Sequence, residues 1–270
     1  MLRFFGVFGS PIAHSKSPLL HNDAFHILQN QIHFSGYYSR ILLENPSRLR
    51  EVFCDLGLSG ANITIPLKEE AYKQCDEVRG IATHIGACNT WVLDRENRII
   101  GYNTDAQGFY ECIKPYGVKT ALIIGAGGSA KAVAMILAHH QIATTILNRS
   151  SDKLVFFEQK GFETYLSSEF KPIQSYDIVI NTTSAGLNHH ELPLAESKLR
   201  DVFTNAKYAF DLIYGKETPF LTLAKSFDLS CSDGKDMLIY QAALAFEKFC
   251  FLDEKVLDTQ QIIALMREVL

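Results

Sequence analysis

The sequence predicts an α/β protein of two domains, and three observations carry that reading. Short apolar runs rich in β-branched or aromatic residues alternate with longer helical patterns. A glycine-rich turn, Gly125-Ala126-Gly127-Gly128, separates one such run from an alanine-rich helix. The last stretch of the chain holds two helical patterns with no strand after them.

The alternation is regular. Strand candidates are Phe4–Phe8, Phe34–Tyr38, Ala61–Ile65, Ala121–Ile124, Thr144–Leu147, Asp177–Ile180 and Tyr208–Leu212. Helix candidates between them are Pro18–Gln29, Pro46–Leu56, Ser129–His139 and Leu154–Lys160. Strands that alternate with helices imply parallel sheets covered by helices. Cys88–Leu93 and Arg98–Tyr102 are different: only Asp94-Arg95-Glu96-Asn97 separates them, which predicts a local hairpin. The terminal helices, Asp236–Cys250 and Thr259–Leu270, are expected to pack back on the first domain. The expected domains are residues 1–105 with 236–270, and residues 106–235.

Composition narrows the function. With 270 residues, 47% hydrophobic and 21% charged, the chain is long enough for two modest cores at roughly 100–200 residues per domain. A net charge of −4 and the lack of any Lys/Arg run argue against a nucleic-acid partner. The six cysteines are scattered with no CxxC pair and read as reduced thiols of a cytoplasmic protein. The adjacent pairs His139-His140 and His189-His190 are poor metal ligands, since neighbouring side chains on a helix diverge by about 100°. No metal is expected. The apolar start, Leu2 to Gly9, is broken by glycine and Pro11 too early for a membrane span or signal core.

The glycine turn has the context of a dinucleotide site. Ala121-Leu122-Ile123-Ile124 leads into it, and Ser129-Ala130 opens the helix beyond. Glycines admit a tight turn and let backbone N–H groups approach a pyrophosphate, while the helix N-terminus adds partial positive charge. The next strand ends in Asn148-Arg149-Ser150, with Lys153 close behind. No acid stands at that strand end to bind a ribose 2′-hydroxyl, and a guanidinium is present to grip a 2′-phosphate. The expected cofactor is NADP on a Rossmann-type domain.

The N-terminal half carries small polar residues in apolar surroundings. Ser15 and Ser17 precede a helix, where either is also a candidate N-cap. Asn62 and Thr64 alternate with Ile63 and Ile65 on an expected strand, so both face the same side. Asn89 lies in Cys88-Asn89-Thr90, at the start of the hairpin, and Asn103-Thr104-Asp105 ends it. Lys68 follows Pro66, which suits the first position of a helix. A cation there opposes the helix dipole, so its charged form is expected to be disfavoured, as suits a group that trades a proton near neutrality. Asp105 is the natural residue to orient it. Gln241 shares the apolar stripe of Leu238, Ala242, Ala245, Phe246 and Phe249, where its amide must satisfy a backbone group or reach a ligand.

Together these segments resemble the shikimate dehydrogenase family over nearly the whole chain. The resemblance rests on Gly9–Pro18, Gly60–Lys68, Gly86–Thr90, Gly101–Gly108, the glycine turn with Asn148–Ser150, Asp211–Tyr214 and Asp233–Leu238. It implies reversible reduction of 3-dehydroshikimate to shikimate by NADPH, on the route to aromatic amino acids. It implies that Lys68 handles the proton and that Asp105 pairs with it. Ser15, Ser17 and Tyr214 would hold the substrate carboxylate, and Asn62, Thr64, Asn89 and Gln241 would read the ring hydroxyls. Leu212 and Gly234 would line the nicotinamide end. Ser150 stands where threonine is usual, and Gly80 where some relatives carry an acid. Two other readings remain: a quinate/shikimate dehydrogenase using NAD, and a silent NADPH-binding protein on the same fold. The oligomeric state is open, and a homodimer is one assembly the sequence allows.

Overall fold

The computed structural model describes residues 1–172, 174–188, 190–251 and 257–270. The chain divides into two compact units. One comprises Met1–Gly108 with Leu238–Leu270, and the other Phe109–Met237.

The first unit begins β1 (Leu2–Gly9), α1 (Ser17–Ile32), β2 (Ser35–Leu42), α2 (Leu49–Asp55) and β3 (Leu58–Ile63). It continues with α3 (Lys68–Gln74), β4 (Glu77–Val78), α4 (Ala82–Ile85), β5 (Thr90–Leu93), β6 (Ile99–Tyr102) and the start of α5 (Thr104–Ile113). The strands form one sheet in the order β2-β1-β3-β5-β6-β4. β1 runs parallel to both β2 and β3, and β5 pairs antiparallel with β3 and β6. The hairpin expected around Asp94–Asn97 is therefore present.

β1 is buried on both faces over much of its length, as a central parallel strand should be. Phe5 and Val7 point into one core and Phe8 into another. The first core is closed by the C-terminal helices. From α10 (Lys235–Phe251) come Ile239, Ala242, Phe246 and Phe249, and from α11 (Thr259–Val269) come Ile262, Ile263 and Met266. They meet Leu20, Ala24, Phe25 and Leu28 of α1. Each fully buried aromatic or leucine contributes about 1.5–3 kcal/mol by removal from water. These helices thus belong to the first unit's core.

The second unit holds β7 (Thr120–Ile124), α6 (Gly128–His139), β8 (Ala143–Asn148), α7 (Val155–Gln159) and β9 (Glu163–Leu166). It goes on with β10 (Ile178–Asn181), α8 (Glu196–Phe203), β11 (Tyr208–Asp211), α9 (Pro219–Lys225) and β12 (Ser230–Ser232). Its sheet has the order β12-β11-β10-β7-β8-β9, and every pairing is parallel. The chain moves outward one way from β7 to β9, then returns to β10 and moves out the other way. The reversal places a crevice at the carboxyl ends of β7 and β10, where open α/β sheets bind ligands.

Candidate active site

The first unit gathers its polar residues around one ion pair. Lys68 Nζ donates to Asp105 Oδ2 at 2.6 Å, and both side chains are largely buried. Lys68 is the first residue of α3, whose cap is Leu67. Pro66, expected at the first helical position, instead lies before the cap, in the turn closed by Leu67 N–H on the Thr64 carbonyl. Asp105 lies in the first turn of α5, but Asn103 serves as the cap there: its Oδ1 accepts from Ala106 N–H at 3.2 Å. Asp105 is thereby left to face Lys68.

A continuous hydrogen-bonded network lies close by in sequence and on the sheet. Tyr38 Oη donates to Asn62 Oδ1 at 2.7 Å. Asn62 Nδ2 donates in turn to Thr90 Oγ1 at 3.1 Å and to the Asn89 carbonyl at 3.3 Å. Asn89 Oδ1 accepts from Thr104 N–H at 2.8 Å and its Nδ2 donates to Thr104 Oγ1 at 3.0 Å. Asn62, Asn89, Thr90 and Thr104 are all buried, so these bonds are what make their burial tolerable. β3 ends at Ile63, one residue short of Thr64, because the chain turns there toward Lys68. Thr64 still donates its N–H to the Phe8 carbonyl at 2.8 Å, and its side chain is partly buried.

The remaining expected residues of this unit have local partners. Ser17 opens α1 and is buried, and its N–H and hydroxyl both lie 3.3 Å from Ser15 Oγ. Neither serine is the cap of α1, which is Lys16. Arg40 fixes the Ser15 carbonyl with two bonds of 2.9 and 2.6 Å. Gln241 Nε2 donates to the Leu238 carbonyl of its own helix at 2.9 Å, so the amide does satisfy a backbone group. Gly108 has no room for a side chain: a Cβ there would lie 2.8 Å from the Gln241 backbone nitrogen. That close approach fixes where Gln241 sits.

In the second unit the turn after β7 is built from glycines with two different jobs. Gly125 has φ +112°, and a Cβ there would meet Thr182 Oγ1 at 2.5 Å. Its glycine is required by the chain's own packing. Gly127 and Gly128 are exposed, and a Cβ at either would meet open space. Nothing inside the protein demands glycine there, which leaves close approach of a group from outside as the physical reason. Ala126 is buried and Ser129 partly so. Gly127 caps α6 with no side-chain bond, so the first-turn N–H groups point outward as anion donors.

Past β8, Asn148 Nδ2 holds the next turn through the Ser150 carbonyl at 2.9 Å and Ser150 Oγ at 3.1 Å. Arg149 and Lys153 project from this turn, both exposed, and Arg149 has no partner among the described residues. An unpaired guanidinium beside a glycine turn is the group that binds a phosphate monoester with paired bonds. These features fit NADP. On the other side, Leu212 N–H donates to the Asn181 carbonyl at 3.0 Å, and Gly234 N–H to the Ile213 carbonyl at 3.2 Å. A Cβ at Gly234 would collide with the Leu212 carbonyl, whose carbon would be 2.8 Å away. Tyr214 is exposed, though its phenol is desolvated enough to be raised above the ordinary value, so it stays a neutral donor.

Sequence reasoning passed over several residues of these sites. Tyr38 belongs to the Asn62 network and His21 stacks on it, but both sit in apolar stretches that read as core. Thr182, beside Gly125, stands in Asn181-Thr182-Thr183-Ser184, a run of small polar residues at a strand end that was a usable signal. Asn181 and Thr218 hold the buried Asp211, which accepts from them at 3.1 and 2.6 Å. Among the described residues no group of three or more His, Cys, Asp or Glu could hold a metal ion, and His189 lies outside the described residues. No described helix is long and apolar enough to cross a membrane.

A parallel nucleotide-binding sheet and a second α/β unit with a buried Lys–Asp pair define a dinucleotide-dependent oxidoreductase. The comparisons with known proteins are more particular. A family described as "Shikimate dehydrogenase substrate binding domain" matches residues 7–91, and one described as "Shikimate / quinate 5-dehydrogenase" matches residues 111–212. The chain is 64% identical to a protein of Helicobacter hepaticus named shikimate dehydrogenase (NADP(+)), with 100% of each covered. It is 50% identical to the Helicobacter pylori protein of the same name over 92% of each. The structure is similar to that of Thermus thermophilus shikimate 5-dehydrogenase in complex with NADP(H) and shikimate, with TM-score 0.80, 32% identity and 99% and 100% coverage. Shikimate dehydrogenase from Aquifex aeolicus gives TM-score 0.84 at 29% identity, with 99% and 97% coverage. The chain belongs to the shikimate dehydrogenase family.

Proposed function

We propose that this protein catalyses the reversible, NADPH-dependent reduction of 3-dehydroshikimate to shikimate in the pathway to chorismate and the aromatic amino acids. The observation that carries the reading is the largely buried pair of Lys68 and Asp105, beside a network of hydroxyl and amide groups. A polyhydroxylated ring acid needs neutral donors and acceptors on most edges and one group that moves a proton.

The residues divide the work as follows. Bound NADP supplies or accepts the hydride. Lys68 takes the hydroxyl proton at the carbon being oxidised and returns it in the other direction. Lys68 does this as the neutral amine, becoming the ammonium that Asp105 then holds, and Asp105 also accepts from a neighbouring ring hydroxyl. Asn62, Thr64, Asn89 and Gln241 read the ring hydroxyls, and Ser15 and Ser17 hold the carboxylate. On the second unit, Tyr214 is proposed as a further carboxylate ligand. Gly125, Ala126, Gly127, Gly128 and Ser129 cradle the pyrophosphate at the start of α6. Asn148, Arg149, Ser150 and Lys153 bind the 2′-phosphate end, and Leu212 and Gly234 line the nicotinamide end.

Residues 1–105 with 236–270 are proposed as the substrate-binding domain and residues 106–235 as the NADP domain. The cytoplasm is the compartment this reading proposes, and light scattering decides between a monomer and the homodimer that the sequence allows. The activity is tested by kcat/KM for shikimate and quinate with NADP and NAD. Preference for shikimate and NADP supports the reading; preference for quinate or for NAD overturns that part of it.

A further inference from the structure

Among the described residues, the only buried side-chain nitrogen or oxygen atoms without a hydrogen-bond partner are the two ring nitrogens of His21. His21 lies on the inward face of α1, between Leu20 and Ala24, and is wholly buried. Its neighbours are aromatic. The ring stacks on Tyr38 at 4.5 Å and 11°, with Phe249 at 5.4 Å and Phe246 at 6.2 Å around it. A phenylalanine would suit such a core without leaving polar atoms unpaired, and each orphaned atom costs its full desolvation. Burial also drives ring protonation down to about 3, so the imidazole is neutral at any working pH.

The retained cost falls one side chain behind the polar network. Tyr38, the ring on which His21 stacks, gives its hydroxyl to Asn62 Oδ1 at 2.7 Å and also faces Ser17. The Asn62 side chain acts on the His21 ring, favouring its protonated form against burial, yet neither ring nitrogen has a hydrogen-bond partner. The backbone of Tyr38 is itself pinned, since Asn22 bonds both its N–H at 2.8 Å and its carbonyl at 2.9 Å. α1 therefore grips Tyr38 twice, once through Asn22 and once through His21.

We propose that His21 is a positioning residue: its neutral imidazole fixes the Tyr38 ring and the facing of the Asn62 amide, and so sets substrate affinity. The inference rests on the reading of Ser17 and Asn62 as substrate ligands. A phenyl ring would fill the same space but give the Asn62 amide no polar neighbour on that side.

The test compares wild type, His21→Phe, Tyr38→Phe and the double variant, with shikimate and NADP varied separately. His21→Phe keeps the flat ring and is expected to raise the KM for shikimate roughly fivefold, the scale of one neutral hydrogen bond from a misplaced Asn62 amide to the substrate. The KM for NADP stays within twofold and the melting temperature does not fall. An unchanged shikimate KM, or an equal rise for both substrates with a lower melting temperature, overturns the proposal. Should His21→Phe not fold, Tyr38→Phe carries the test, since it keeps the stack and removes the donor to Asn62. The same selective rise is expected, and wild-type affinity for shikimate overturns the idea. The double variant should match the worse single one, and multiplication of the two effects counts against a shared route. Lack of shikimate turnover in the wild type overturns the parent reading and this one together. Normal turnover with a silent His21→Phe overturns this one alone.

Discussion

Lys68 Nζ donates to Asp105 Oδ2 at 2.6 Å across 37 residues of sequence, the one at the start of α3 and the other in the first turn of α5. Each helix start is fixed independently of the pair, by the turn at Thr64–Leu67 and by the Asn103 cap. The pair is thus set by two rigid elements rather than by a loop. Replacing Asp105 with Asn keeps the shape and removes the charge. Its expected cost is about 10–100-fold in kcat, the worth of one charge-assisted bond at roughly 1.5–3 kcal/mol. Steady-state kinetics check it, and a kcat within twofold of wild type contradicts the role.

The glycine turn gives a paired prediction. Gly125→Ala forces a left-handed backbone and a clash with Thr182, so it should lower the melting temperature as well as activity. Gly127→Ala meets open space and should leave stability unchanged while weakening NADP binding. Thermal melts with NADP titrations separate the two. Equal destabilisation by both would contradict the different jobs assigned to them.

Arg149 is exposed and unpaired, so its removal costs the fold little. Arg149→Ala is expected to raise the KM for NADP about 10–100-fold, since charge-assisted bonds to the 2′-phosphate contribute roughly 1.5–3 kcal/mol. The KM for NAD should hardly move. Parallel loss for both cofactors would show that the residue does not read the phosphate.

His21 makes stability depend on pH with a definite sign. The unfolded chain protonates it near 6.5, the folded chain only near 3. Below 6.5 the unfolded state therefore binds the extra proton, and stability present at pH 7 is lost as pH falls toward 3. Between pH 7 and pH 5 the loss from this group is about 2 kcal/mol. Urea unfolding at both pH values should show that His21→Phe loses correspondingly less than wild type. Identical pH dependence would mean the ring is protonated in the folded state.

Much of this architecture was legible because it is local. The run Ala121–Ile124, its glycine turn and the helix beyond are contiguous, and β7 and α6 start within a residue of where the pattern puts them. β4, β9 and β12 escaped notice for a physical reason. They have two, four and three residues, and β9 and β12 are half-exposed edges whose pairing comes from neighbours, not from their own hydrophobic alternation. Thr64 fell outside the strand because the turn toward Lys68, closed by Leu67 N–H on the Thr64 carbonyl, begins there. His21 and Tyr38 could not be read at all without tertiary structure, since their significance is that they stack.

The account stands or falls on Lys68. Steady-state oxidation of shikimate with NADP, by wild type and by Lys68→Ala, measures its role directly, with NADP binding followed by titration. The expected result is wild-type turnover, a loss of about 10²–10⁴ in kcat in the variant, and NADP affinity within twofold. Retained turnover in Lys68→Ala would remove it from the mechanism.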